Sequence, residues 1–380
     1  MQGNFMKKMM CFLIIILTSL TFCSGEKRNS PDLSEIKGVW ITNVDSRVLG
    51  SPESIREAVD FLHEHGFNTL FPVVWNQGKT MYPSKIMEKE FGLLIDPVFE
   101  GLDPLKTLTD YAHKKGFLVI PWFEFGFSSS YNANGGHILA KNPHWAAKDR
   151  DGNLLTKNNF EWMNPYHPEV QSFIKSLILE VVENYNVDGI QGDDRLPANP
   201  IEGGYSEYTV NRYKSEHNGQ EPPRDYRDPA WQKWRGDILN AFAEEVYKSV
   251  KAIRKDLIVS WAPNIYPWAY DEYLQDWPAW IKGGYCDLMI PQIYRYNLEA
   301  YKNTLKTIDP VVLGLPENHC PIIPGVLLNL GKYTMDNQFL RDVIAHNREM
   351  GYKGEVFFFY EGLRKEDNRT AKLLKNEFYK

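Results

Sequence analysis

The segment Val187-Asp188-Gly189-Ile190-Gln191-Gly192-Asp193-Asp194-Arg195 ends a short apolar run on two carboxylates and a guanidinium. Side chains alternate along a strand. With Ile190 on the outer face, Gln191 and Asp193 share the inner face and Asp194 points to the loop side. A carboxylate where apolar strands converge needs a partner or a task. Arg195 is a partner for Asp194, which leaves Asp193 for acid–base or nucleophilic work. Patterns for other chemistries are missing: there is no His-Glu-x-x-His, Cys-x-x-Cys, Walker loop or Gly-x-Ser-x-Gly. His63 and His65 fall at a helix end, and His137, His144 and His167 lack ligand spacing. The sequence therefore requires no cofactor and no metal.

Such residues need a scaffold, and the chain supplies a repeating one. From residue 37, short apolar or aromatic runs alternate with longer segments of helical periodicity. The predicted strands are 38–42, 69–75, 118–124, 189–193, 257–261, 288–294, 311–315 and 356–360. Ser51-Pro52-Glu53, Asp103-Pro104-Leu105 and His167-Pro168-Glu169 each open a helix with a cap and a proline. Gly66 and Gly116 close the first two. Later helices are predicted at 231–253, 271–283, 298–308, 336–350 and 364–379. Eight alternations point to a single-domain α/β fold, the (β/α)₈ TIM barrel, with long loops after strands 3 and 4. An open doubly wound sheet is the runner-up, but no Gly-x-Gly-x-x-Gly follows any strand. Within the loop 125–165, Asp149-Arg150-Asp151-Gly152-Asn153 reads as a hairpin turn. It is not a calcium loop, because Phe160 stands where the closing Glu would be.

In such barrels chemistry sits at the C-terminal strand ends. There the chain delivers Asn43, Trp75, Trp122 with Glu124, Asp193-Asp194-Arg195, Trp261 with Asn264, Gln292 with Tyr294, His319, and Glu361. Carboxylates, amides and flat rings together suit a sugar. Polar groups bond its hydroxyls, rings stack on its apolar faces, and two carboxyls act as acid and as base or nucleophile. Asp193 is the principal candidate, oriented by Asp194 and Arg195, with Glu124 or Glu361 as its partner. Trp75, Trp122, Trp261 and Tyr294 are expected to form the platform. Asn43, Asn264 and Gln292 would hold hydroxyls, and His319 could touch substrate. Trp231, Trp234, Trp277 and Trp280 lie on helices and read as core.

The 380 residues are 43% apolar and 24% charged, ordinary values that rule out wholesale disorder, collagen and coiled coil. A net charge of −6 lacks the basic footprint of a nucleic-acid binder. Lys7 and Lys8 precede an apolar run of about 14 residues, short of the roughly 20 that span a bilayer, and this reads as an export signal. Leu20-Thr21-Phe22-Cys23 then resembles a lipobox, with Phe22 where a small residue is usual. The expected organisation is a signal peptide at 1–22, a lipid-anchored linker at 23–35 and one catalytic domain at 36–380. The protein would be an exported cell-envelope lipoprotein whose only membrane contact is the lipid. Cys286 and Cys320 are expected at opposite ends of the barrel, too far apart to bridge.

Several motifs together resemble the glycosyl hydrolase-like 10 family of bacterial envelope proteins. They are Gly38-Val39-Trp40-Ile41-Thr42-Asn43, Asp103-Pro104-Leu105, Trp162-Met163-Asn164-Pro165, the strand-4 tract, Trp231-Gln232-Lys233-Trp234-Arg235, and Asp287-Leu288-Met289-Ile290-Pro291-Gln292-Ile293-Tyr294. The resemblance implies a (β/α)₈ hydrolase fold and action on glycans, with peptidoglycan strands lacking stem peptides as the expected substrate. The family's Gly-Ile-x-x-Asp-Asp carries over to Asp193 and Asp194. Trp75 departs from the family's usual Val-Arg at the end of strand 2, and Glu124 from Trp-Phe-Asn at the end of strand 3. A glycan-binding lipoprotein without catalysis and a lytic enzyme are the alternatives. If Cys23 carries the lipid, Cys23→Ala moves the protein from the membrane to the soluble fraction on cell fractionation; unchanged membrane association refutes the anchor.

Overall fold

The computed structural model of the chain describes residues 32–379. The expected signal peptide at 1–22 and Cys23 lie outside the described residues. Central strands are β1 (Lys37–Ile41), β2 (Thr69–Pro72), β3 (Leu118–Val119), β4 (Trp122–Phe123), β5 (Gly189–Gly192), β6 (Ile258–Trp261), β7 (Leu288–Met289), β8 (Gln292–Ile293), β9 (Gly325–Leu327) and β10 (Glu355–Phe358). All are buried or nearly so, as parallel strands covered on both faces must be. They form a six-stranded sheet in the order β8-β9-β10-β1-β2-β3 and a four-stranded sheet in the order β7-β6-β5-β4. Every pairing among them is parallel.

Two chain segments take part in both sheets. The predicted strand 118–124 is split at Pro121 into β3 and β4, and the predicted strand 288–294 is split at Pro291 into β7 and β8. Proline has no N–H to give to a ladder, so each half pairs on its own. Side chains from the two sheets share one interior. Trp40 Nε1 donates to Gln191 Oε1 at 2.7 Å, and Gln191 Nε2 donates to Ser260 Oγ at 3.0 Å. Trp122 and Phe358 pack on Trp40, with ring centroids 6.3 and 6.2 Å away.

The helices α1 (Pro52–Glu64), α2 (Pro104–Lys114), α3 (Pro168–Asn184) and α4 (Pro229–Ile253) cover the strands. Ser51, Asp103 and His167 cap the first three, each accepting from a first-turn N–H. The loop 125–165 carries a small antiparallel sheet of Ser128–Tyr131, Thr156–Lys157 and Phe160–Trp162. Asp149 and Gly152 make the tight turn there, with Gly152 N donating to Asp149 O at 3.1 Å.

Four expectations need correction. Strand 7 is not 311–315 but Gly325–Leu327. Pro310 and the positive φ of Gly314 fold 310–314 into a turn, and Val311 is 87% exposed, unfit for a central strand. His319 therefore lies before strand 7, not after it. Strand 2 stops at Pro72, and Trp75–Asn76 pairs antiparallel with Lys79–Thr80. The helix expected at 271–283 is two helices, Trp268–Tyr273 and Trp277–Gly283, because Leu274 turns left-handed at φ 56°.

Gly126 is indispensable where the loops after β4 and β5 meet. Its φ is +50°, and a Cβ there would stand 2.2 Å from the Arg195 carbonyl oxygen. Gly126→Ala should destabilise the protein by roughly 2–3 kcal/mol in urea denaturation, through strain and displacement of the 193–196 turn; an unchanged midpoint contradicts this close approach.

Candidate active site

Three carboxylates gather around one guanidinium at the C-terminal ends of β4 and β5. Arg195 Nη2 lies 3.0 Å from Asp193 Oδ2 and 3.8 Å from Glu124 Oε1, and Nη1 lies 2.8 Å from Asp194 Oδ1. Arg195 Nε donates to the Glu124 carbonyl at 3.0 Å. The guanidinium also lies over the Phe160 ring at 4.5 Å and the Phe125 ring at 5.6 Å. Planar guanidinium suits this work, since it can bond carboxylates in its plane and stack on rings above and below.

Each carboxylate has a second holder. Gln292 Nε2 donates to Asp193 Oδ1 at 2.5 Å and to the Ala262 carbonyl at 2.9 Å. Gln275 Nε2 donates to the Asp193 carbonyl at 2.9 Å. Asn76 Nδ2 donates to Glu124 Oε2 at 2.6 Å, and Asn264 Nδ2 to Asp194 Oδ2 at 3.0 Å. Buried carboxylates need such donors to remain in the fold. Burial pushes the Glu124 carboxyl up to about 7, against the opposing pull of Arg195 and Asn76. Burial, with Asp194 and Glu124 nearby, also pushes Asp193 up, while Arg195 pulls it down. Glu124 thus keeps a proton at a pH where free carboxylic acids have lost theirs.

Asn76, which holds Glu124, has its Oδ1 buried with no protein partner, and Trp122 Nε1 in β4 and Asn43 Oδ1 just beyond β1 are likewise buried without one. Tyr294 is half-buried, its ring packed on Phe358 with centroids 5.4 Å apart, and its hydroxyl feels the Asp193, Asp194 and Glu124 charges.

Other predicted site residues are elsewhere. Trp75 and Trp261 are fully buried and cannot stack on a ligand. Trp75 Nε1 donates to the Gly126 carbonyl at 2.9 Å with its ring against Phe173 of α3. Trp261 Nε1 donates to the Tyr285 carbonyl at 3.2 Å, and Trp280 packs on its ring. Both point outward to the helices, because Asn76 and Ser260, their strand neighbours, point inward. Trp122 is interior and almost fully buried. Glu361 accepts from Ser46 Oγ at 2.8 Å and lines a cavity of about 560 Å³ with Asp45, Ser46 and Arg47, whereas Glu124 shares Arg195 with Asp193. His319 bonds the Cys320 carbonyl near the opposite strand ends.

Asn76, Phe125, Phe160 and Gln275 were missed by the sequence reading. Strand alternation could have found Asn76 beside an outward Trp75. Phe160 and Gln275 come from distant loops and carry no local signal. A metal would find ligands away from this cluster. His144, His167 and Glu169 each bring one ligand atom to within 4.8 Å of the others, although their sequence spacing shows no metal pattern. His144 Nε2 and Trp145 Nε1 already share Glu169 Oε2, at 2.9 and 2.8 Å.

Known proteins share sequence and fold with this chain. The pattern of a family described as glycosyl hydrolase-like 10 covers residues 35–312. "Glycosyl hydrolase DigH" of Escherichia coli K12 is 29% identical over 289 residues, which is 69% of this chain and 62% of that protein. "Glycosyl hydrolase YngK" of Bacillus subtilis strain 168 is 23% identical over 330 residues, 78% of this chain and 62% of that one. The chain therefore spans about three fifths of the length of these curated relatives. Among solved structures, the glycoside hydrolase domain of PgaB (BpsB) from Bordetella bronchiseptica superposes with a TM-score of 0.64. The match covers 90% of this chain and 98% of that domain at 13% identity, a likeness of fold.

Carbon-13 NMR titration of the Glu124 carboxyl should give a midpoint about 7. Asn76→Ala removes a donor to the ionised form, so the midpoint should move higher. An ordinary carboxylate midpoint, or a downward shift in the variant, contradicts the site electrostatics.

Proposed function

We propose that this chain, which belongs to the glycosyl hydrolase-like 10 family, hydrolyses glycosidic bonds with Asp193 and Glu124 as its two carboxyls. The observation that carries this reading is Arg195 Nη2, a single nitrogen in reach of both carboxylates. It bounds their nearest oxygens to roughly 7 Å, which admits the spacing of about 5–5.5 Å used by retaining enzymes and most of the longer inverting range lies beyond it. Glu124, with a proton available near neutral pH, serves as general acid and then as base. Asp193, held by Arg195 and Gln292, serves as nucleophile in its ionised form, which Arg195 favours against burial and the neighbouring carboxylates. Asp194 keeps Arg195 in place. The unpaired amide oxygens of Asn43 and Asn76, with Tyr294 and Asn264, would meet sugar hydroxyls.

The two sheets are read as one closed (β/α)₈ barrel, since the segments broken at Pro121 and Pro291 belong to both. The substrate is read as peptidoglycan strands lacking stem peptides. Export and lipidation at Cys23 would put the enzyme in the envelope with that substrate. A binding role alone leaves two buried, raised carboxyls without use, a costly arrangement.

Purified protein should release products from bare peptidoglycan strands, read by mass spectrometry, with oxygen from labelled water in the new reducing end. Asp193→Asn should lower turnover by about 10²–10⁴-fold with an unchanged circular dichroism spectrum. Near-normal turnover removes Asp193 from the mechanism. Saturable binding without products supports the non-catalytic alternative, and products without labelled oxygen support lytic cleavage.

A further inference from the structure

We infer that Cys286 and Cys320 are a disulfide-forming pair, which joins the start of β7 to the loop leading into β9. They are free cysteines, one buried and one half-buried, and their Sγ atoms are 3.4 Å apart. Nothing in their sequence positions predicts this. With strand 7 placed at 311–315, they would stand at opposite ends of the fold. The true strand 7 reverses that, because residues 320–323 then run beside β7 on their way to β9.

The backbone brings the pair together. Met289 and Ile322 form a parallel bridge. Met289 N donates to the Pro321 carbonyl at 3.0 Å, and Ile323 N donates to the Met289 carbonyl at 2.8 Å. Counting back along both segments from that bridge sets Cys286 beside His319 and Cys320. Cys286 is opposed to His319, the residue next to Cys320, and the 3.4 Å between the sulfurs shows that the two cysteine side chains meet. The sulfurs, 3.4 Å apart, need about 1.4 Å of approach to reach bonding distance.

The reaction balances with a low-molecular-weight disulfide such as oxidised glutathione. The Cys320 thiolate, on the more accessible side chain, attacks one glutathione sulfur and expels a glutathione thiolate. The Cys286 thiolate then attacks Cys320 Sγ in the mixed disulfide and expels the second. Two electrons pass from the cysteines to the glutathione disulfide, and the two cysteine protons end on the two glutathione thiols. The bond spans a separation of 34 residues and ties down the exposed turn around Val311 and Val312. It forms at the N-terminal strand ends, away from Arg195 and its carboxylates. Its effect is on stability, whatever the substrate.

The test uses the full chain, incubated with oxidised or with reduced glutathione, then alkylated under denaturing conditions and digested. Oxidation should yield the Cys286 and Cys320 peptides linked to each other, two hydrogen masses below their sum. The Tm of oxidised protein should exceed that of reduced protein by about 5 °C. Cys320→Ser should abolish both the link and the redox dependence of Tm. The inference is overturned if both cysteines remain alkylatable after oxidation, or if each ends as a glutathione adduct. A bond from either to another chain on non-reducing gels overturns it as well.

Discussion

The site depends on one buried guanidinium. Arg195 touches Asp193, Asp194 and Glu124 and lies over Phe160 and Phe125. Several carboxylates taken out of water repel one another and lose hydration, so a cation among them is what lets them stay. That cation comes from the residue following the acidic pair, which means the end of β5 carries both the charge and its neutraliser. Its Nε bond to the Glu124 carbonyl then ties β5 to β4. Gly126 provides the space, since any side chain there would meet the Arg195 backbone.

The segments broken by proline contribute directly to this cluster. Gln292 follows Pro291 and holds Asp193, while Glu124 lies just beyond β4, the half-strand after Pro121. Each break releases part of a strand from one ladder to pair in the other. Residues from opposite sides of the interior are brought to the same few ångströms at its C-terminal end. Deeper down, Trp40, Gln191, Ser260 and Trp122 fill the interior and leave the carboxylates near the opening.

The aromatic residues divide by direction. Trp75 and Trp261 face the helices and cement the outer layer, whereas Trp40 and Trp122 face inward. Trp231, Trp277 and Trp280 are buried on helices. Arg235, one turn from Trp231, is fully buried and donates to the carbonyls of Ile201, Gly203 and Tyr226, fixing the loop after β5. A position at a strand end says that a tryptophan is near the site; only the strand's alternation says whether it faces it.

The sequence by itself determined the alternation of elements, the caps at Ser51, Asp103 and His167, the Asp-Gly turn, and the acidic tract at the end of β5. Those features are local: period, capping chemistry and turn residues act within a few positions. It also brought Asp193, Asp194, Arg195, Glu124, Asn264 and Gln292 into one set of candidates, because strand ends converge in this architecture. It misplaced strand 7, since the run at 311–315 is as apolar as the true strand at Gly325–Leu327 and only packing tells them apart. With that strand went His319 and the separation of Cys286 from Cys320. Choosing Glu124 over Glu361 as the carboxyl beside Asp193, and turning Trp75 and Trp261 away, were decisions of the tertiary structure. They depend on distances between segments far apart in the chain, which no local pattern encodes.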